Sequence, residues 1–264
     1  MFGLGEGAPA PNTPPPPYLP SILSMHQINS STVLVSHPSV SGCPTFRCVF
    51  DTQQMREAGP RLKAEWKSLA VRRAPLLHEL VPSFKLMDPD ARTENALCSL
   101  LPQAPIPAYK GTIGTIIFDV RIVLEADVIS TFTLPSTGGR FQWHGPMNSL
   151  VKRPEMPSTL SLVIEQDSRI ELQNEVRTKA RSLFSRHPST PEYSSWVKVA
   201  VLDAVPSKEP TIIHGTLSPL SGFEEVALWR NKEDCAAITA SAIASLFAIK
   251  YAIIMNAYKY KKGV

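Results

Sequence analysis

Cysteine is scarce in this 264-residue chain, which holds only Cys43, Cys48, Cys98 and Cys235. Cys43 and Cys48 are not in C-x-x-C spacing and the other two stand alone, so neither a zinc site nor a secreted disulfide scaffold is expected. The pattern predicts reduced, mostly buried thiols in a cytosolic protein. Charge is also missing at the front, where Glu6 is the only charged residue among residues 1–46. The start has neither a basic nor a long apolar region, so no signal peptide is expected, and Phe2 excludes glycine myristoylation. Catalytic signatures are absent as well. There is no G-x-S-x-G, P-loop, dinucleotide glycine fingerprint or H-E-x-x-H, and the six histidines have no metal spacing. Gly111-Thr-Ile-Gly114 falls in a strand pattern with no phosphate-binding helix after it. The Asp88-Pro-Asp90 run reads as a turn. No enzyme activity, cofactor or metal is therefore expected.

Proline is plentiful. There are 25 in the chain, seven of them in the first twenty residues, and Pro14-Pro15-Pro16-Pro17 runs straight into Tyr18. Proline holds φ near the polyproline II value and lacks an N–H, so this arm is stiff, extended and unable to join a sheet ladder. A ligand already extended loses little entropy on docking, and aromatic grooves select such segments. Pro15, Pro16, Pro17 and Tyr18 form a P-P-x-Y pattern of the kind WW domains bind. The expected organisation is a disordered arm over residues 1–27 and a single α+β domain over 28–264.

Hydrophobic residues make up 43% and charged residues 19%, enough apolar material for a core beyond the arm. Net charge is +4, a mild bias that suits anionic lipid or nucleic acid. Strands are expected at 31–37, 45–50, 128–134, 141–144, 160–164, 196–202 and 211–214. The strongest strand signal runs from Tyr109 to Leu124, where Ile116, Phe118, Val120, Ile122 and Leu124 alternate onto one face. Residues 82–108, punctuated by Pro82, Pro89, Pro102, Pro105 and Pro107, read as a long surface connection. A helix is expected from Pro60 to Pro75, with Arg61, Lys63, Lys67, Arg72 and Arg73 on its outer side, and a further turn at 76–81. Another follows Asp167, with Arg177, Lys179, Arg181 and Arg186 near its end. The fold class is thus α+β, a twisted, mostly antiparallel sheet packed with helices.

A last helix is expected over 232–258, with Glu233 and Asp234 at its start and lysines at its end, as the helix dipole favours. Residues 235–257 carry Lys250 as their only charge, long enough to span a bilayer. Alanine, serine and threonine weaken that reading, and a lysine inside a span costs about 2.5–3.5 kcal/mol. Ala236, Ala240, Ala244, Ala248 and Ala252 repeat every fourth residue, a smooth groove for close approach of another helix or a sheet. Bulk on the remaining sides makes the helix apolar all round, which favours burial in a core or in self-association through Ala240, Ala244 and Ala248. Beyond it, Tyr258, Lys259, Tyr260, Lys261 and Lys262 are a mix that suits a lipid headgroup layer.

A proline-rich arm with Pro15, Pro16 and Tyr18 in P-P-x-Y, ahead of a mildly basic α+β domain without catalytic signatures, resembles the matrix proteins of enveloped negative-strand RNA viruses. Tyr109-Lys-Gly-Thr-Ile113 also looks like a strand of vesicular-type rhabdovirus matrix proteins. The arm departs from that family in having no basic residue, and the chain is longer than usual. The resemblance implies a structural virion protein that oligomerises beneath the envelope, in the host cytoplasm and on the inner face of host membranes. It would contact an anionic membrane surface and the viral nucleocapsid, and recruit a host WW-domain ubiquitin ligase through a late-budding motif. Arg61, Lys63, Lys67, Arg72, Arg73, Lys259, Lys261 and Lys262 are the candidate membrane or nucleic-acid contacts. The other readings are a viral nucleic-acid-binding or movement-type protein, in which the basic helix faces grip phosphates, and a cellular WW-ligand adaptor.

Overall fold

The computed structural model describes residues 23–29, 32–36, 46–68, 75–89, 96–104, 106–146, 158–165, 196–205, 214–220, 229 and 231–262. Strands β1 (Leu23–Asn29), β2 (Thr32–Ser36) and β3 (Phe46–Asp51) lead into helices α1 (Gln53–Ser68) and α2 (Leu77–Leu80). Strands β4 (Ser83–Met87), β5 (Cys98–Gln103), β6 (Ala108–Ile113), β7 (Ile116–Glu125), β8 (Val128–Thr133) and β9 (Arg140–His144) follow. Then come β10 (Ser158–Glu165), β11 (Trp196–Val205), β12 (His214–Pro219) and a long helix, α3 (Lys232–Lys262). The architecture is α+β. Each strand pairs antiparallel with its neighbour in sequence, and β1 closes on β12 through Leu23↔Leu217 and Ser24↔Thr216, so the expected sheet is a closed twelve-stranded barrel.

The inner wall follows from period-two alternation. Phe46, Cys48 and Phe50 of β3, Phe84 and Leu86 of β4, and Phe118, Val120 and Ile122 of β7 are buried, while the residues between them are more exposed. With strands about 4.8 Å apart and tilted by about 40°, twelve of them close at a radius of about 12 Å. Side chains alone do not fill that width. Helix α3 does, and Cys235 through Ile249 are all buried within the barrel wall. Phe247 packs edge-on against Phe50, with ring centroids 5.7 Å apart, and also meets Phe84. A helix walled on every side must be apolar on every side, and this accounts for the all-round hydrophobicity of residues 235–257.

The few polar groups inside are paired. Trp143 Nε1 donates to Ser241 Oγ at 2.9 Å, and Ser241 Oγ donates to the carbonyl of Ile238. Ser245 Oγ lies 2.7 Å from Ser130 Oγ and donates to the Ser241 carbonyl. These bonds fix the rotation and height of the helix against β8 and β9, because sliding either element would leave buried donors without acceptors. The Tyr109 hydroxyl donates to the Pro82 carbonyl at 3.1 Å.

The register gives the barrel two unlike ends. Asp234, in the first turn of α3, accepts from the hydroxyl and backbone N–H of Ser136 in the β8–β9 connection. Lys232 pairs with Asp88, just after β4, at 2.6 Å. That end, where α3 enters, also holds the start of β1 and the β6–β7 turn. The opposite end, where α3 leaves, holds α1, α2 and the β5–β6 turn. Helix α3 has 31 residues, about 46 Å at 1.5 Å per residue. It outruns the barrel, and residues 250–256 are only half-buried.

Several sequence expectations are corrected. Residues 82–108 are not a surface connection, since they contain β4 and β5, and Pro102 sits buried at the end of β5 opposite Tyr109. Pro60 does not open α1 but lies inside it, and the first turn instead starts beside Asp51, whose Oδ1 accepts from Gln53 N–H at 2.9 Å. The last strand is later than expected, at His214–Pro219, and α3 runs to Lys262. The stretch assigned to the arm reaches into β1, which begins at Leu23. The helix expected after Asp167 lies outside the described residues. Two glycines of Gly111-Thr-Ile-Gly114 have structural reasons. A Cβ on Gly111 would sit 1.6 Å from the Ser99 carbonyl oxygen, and Gly114 turns the β6–β7 hairpin at φ 56°.

Candidate functional site

The chemistry-bearing residues singled out in the sequence separate between the two ends of the barrel. Pro15, Pro16, Pro17 and Tyr18 lie outside the described residues, but the chain they belong to joins the sheet at Leu23, on the end where α3 enters. Ile116 and Ile117 are exposed beside the β6–β7 turn at that same end, Ile117 at 87%.

The exit end gathers the basic segments. Helix α1 leaves β3 there, and α2 returns the chain to β4. Leu77 and Val81 are buried, and Glu79 between them is buried with both oxygens in use. Its Oε2 accepts from the Leu76 N–H at 2.8 Å and its Oε1 from Arg61 Nη2 at 2.7 Å. Arg61, expected as a ligand contact, is thus an internal anchor that ties α1 to α2 and neutralises a buried carboxylate. Lys63 is exposed on α1, and Lys67 lies one turn further along it. Arg72 and Arg73 lie outside the described residues. Lys259, Lys261 and Lys262 occupy the last turn of α3, beyond the barrel, on the same end as α1. Between these segments stands apolar surface: Ile106 in the β5–β6 turn is 67% exposed, and Tyr251, Ile253 and Ile254 are half-buried on the emerging helix. α3 is also long and apolar enough over Lys232–Asn256 to cross a membrane, with mean hydropathy 1.8 in its most apolar window, yet 72% of that window is buried in the barrel.

Ala240, Ala244 and Ala248 are fully buried against the chain's own strands, so they are not available for the self-association assigned to them. The ladder of small residues serves close helix-to-wall approach instead. An intermolecular groove and an intramolecular one look alike in sequence, because both need a smooth helix face.

Burial shifts titratable groups inside the barrel toward their neutral forms. Burial pushes the Cys98 thiol up to about 12, and burial with Cys98 nearby raises Cys48 as well. Both are reduced and unreactive in character, as is buried Cys235, whose Sγ donates to the Trp229 carbonyl. Cys43 is outside the described residues. Burial raises Asp234 above the usual carboxylate value against the opposing hydrogen bonds of Ser136. Among the described residues no group of three or more His, Cys, Asp or Glu is arranged to hold a metal ion.

Sequence reasoning missed one feature, a shallow depression of about 140 Å³ on the outer wall of the barrel. It is lined by Asp119, Arg121, Thr131, Thr133, Arg140, Gln142 and Trp196 among others. These residues come from β7, β8, β9 and β11, and only the cross-strand register brings them together. No protein-family model, curated protein or solved structure matches the chain.

Proposed function

We propose that the chain is a non-enzymatic viral matrix protein that assembles beneath an envelope, contacts an anionic membrane and the nucleocapsid, and promotes budding by recruiting a WW-domain ubiquitin ligase through Pro15, Pro16, Pro17 and Tyr18. The observation that supports this reading is the polarity of the barrel. The apolar and basic surface formed by Ile106, the emerging part of α3 and α1 is at one end, and Leu23, the first described residue after the proline-rich arm, is at the other. A protein seated on lipid by its exit end holds its arm toward the cytosol, where a ligase can reach it. Each lysine near an anionic surface contributes on the order of 1 kcal/mol, so Lys63, Lys259, Lys261 and Lys262 together give a reversible attachment that the apolar residues reinforce.

Flotation with phosphatidylserine vesicles tests the membrane half. Replacing Lys259, Lys261 and Lys262 with glutamine reduces the floated fraction and leaves the melting temperature unchanged. If flotation survives that change and is abolished by Ile117→Asp, the opposite end faces the lipid and the orientation is wrong. For the arm, Tyr18→Ala abolishes WW-domain binding and particle release without loss of thermal stability, and the intact motif binds with an affinity on the order of micromolar or weaker. The nucleic-acid-binding reading is favoured instead by tight RNA binding with a steep salt slope and no flotation.

A further inference from the structure

The outer depression carries a pattern that the budding reading does not use. Two adjacent cross-strand rows cross it. In one, Thr133 faces Arg140, and Glu165 faces Trp196 across the next pair of strands. In the other, Arg121 faces Thr131, which faces Gln142. Arg121 and Arg140 thus flank β8 from either side, their Cα atoms about 12 Å apart by strand and residue spacing, with threonine hydroxyls on the wall between them. That separation lets two guanidinium groups converge on one anion. Guanidinium forks match phosphate oxygens in geometry as well as charge.

Three further groups narrow the ligand. Trp196, half-buried at the rim of the depression, offers an indole for stacking. Gln142 Oε1 is held 2.6 Å from His144 Nε2, which leaves its amide N–H groups for an incoming acceptor. Asp119 is an acceptor of unfavourable sign for a bare polyanion, but it suits a ribose hydroxyl or a base amino group. Its cross-strand neighbour is Lys110 on β6. Arg140 is shared with Glu165 at 3.2 Å, an exposed pair whose rearrangement costs little. The Arg121 side chain has no ion pair or hydrogen bond among the described residues.

We propose that this depression binds a nucleotide unit of single-stranded RNA, with a phosphate between Arg121 and Arg140 and a base stacked on Trp196. The site lies on the outer wall toward the end where α3 enters, away from the exit end, and is independent of the membrane reading. One phosphate neutralised on a single strand gives a salt slope of about −0.7, shallow beside that of a dedicated RNA-binding protein.

The test is fluorescence anisotropy of the full-length chain with a short labelled oligouridylate at low salt. Arg121→Gln weakens binding about tenfold or more, since a charge-assisted bond to phosphate is lost. Trp196→Ala weakens it about five- to 160-fold, and Trp196→Phe restores most of the affinity because a ring is kept. Arg121→Gln leaves vesicle flotation unchanged, which separates this site from the exit end. Arg121 is solvent-exposed, so its variant folds normally, and the melting temperature checks this. Unchanged affinity in both Arg121→Gln and Trp196→Ala overturns the proposal. So does displacement of the oligouridylate by inorganic tripolyphosphate at equal phosphate concentration, because that reports charge alone.

Discussion

Truncating Phe247 to alanine probes the central claim that α3 fills the barrel. The ring is fully buried and sits between Phe50, at 5.7 Å and 89°, and Phe84, at 6.4 Å and 39°. Phenylalanine-to-alanine changes in cores cost about 3–5 kcal/mol, and each lost aromatic pair contributes about 0.5–1.5 kcal/mol within such totals. The wall cannot collapse onto the void, because every strand is hydrogen-bonded on both sides around the closed ring. The upper part of the range is therefore expected, about 4–5 kcal/mol. With a urea m-value of about 3 kcal/mol/M for a chain of this size, the midpoint falls by about 1.5 M at constant slope. Circular dichroism and tryptophan fluorescence should report the same transition. Ile254→Ala, on the half-exposed part of the helix, serves as the comparison and costs about 1 kcal/mol or less. Equal losses for the two variants, or a loss below about 1 kcal/mol for Phe247→Ala, would show that α3 is not the filling of this barrel.

Ala244→Leu places extra carbons between helix and wall and costs about 1–3 kcal/mol, measured by the same urea titration, with no change in oligomeric state by light scattering. Asp234 gives a pH test. Its folded pKa is raised by burial, so the folded state binds the proton more tightly than the unfolded chain. Its contribution is fully favourable below the ordinary carboxylate pKa, and stability falls as pH rises from there through the raised folded value. Asp234→Asn removes that fall. The difference in unfolding free energy between the two proteins should shift toward the variant as pH rises across that window, and a difference that is flat with pH refutes the assignment.

How much was legible in the sequence varies by element. β7 and β8 announce themselves because one face is core and the other water, so period two is written plainly in Phe118, Val120 and Ile122. β4 and β5 were hidden by the prolines around them, although Phe84 and Leu86 alternate in the same way over a shorter run. The burial of α3 was readable from its composition, but not what buries it. Closure of a sheet depends on the pairing of β1 with β12, two segments nearly 200 residues apart, and no local pattern encodes it. Arg61 illustrates the limit for the site. Its row of basic neighbours reads as a solvated face, and its buried partner Glu79 is separated from it by a second helix start. The outer depression was invisible for a related reason, since Arg121, Arg140 and Trp196 meet only once four strand registers are set.

The order of elements along the chain bears on how the protein is made. α3 follows every strand, so the ribosome releases the whole barrel wall before the element that occupies its interior. Until then the inward aromatics Phe46, Phe84, Phe118, Phe141 and Trp143 have no partner at the axis, and a ring closed early would hold an unfilled interior. The strands must therefore stay open, or close only loosely, while the helix is synthesised. The nascent chain passes through a stage with a wide apolar sheet face and unpaired edges at β1 and β12, the species most prone to aggregate. Pairing of β1 with β12 is the natural last step, sealing the wall around a helix already laid against β7 and β8. Loss of the helix by early termination would leave a polypeptide that holds all the strand sequences and still cannot complete the fold.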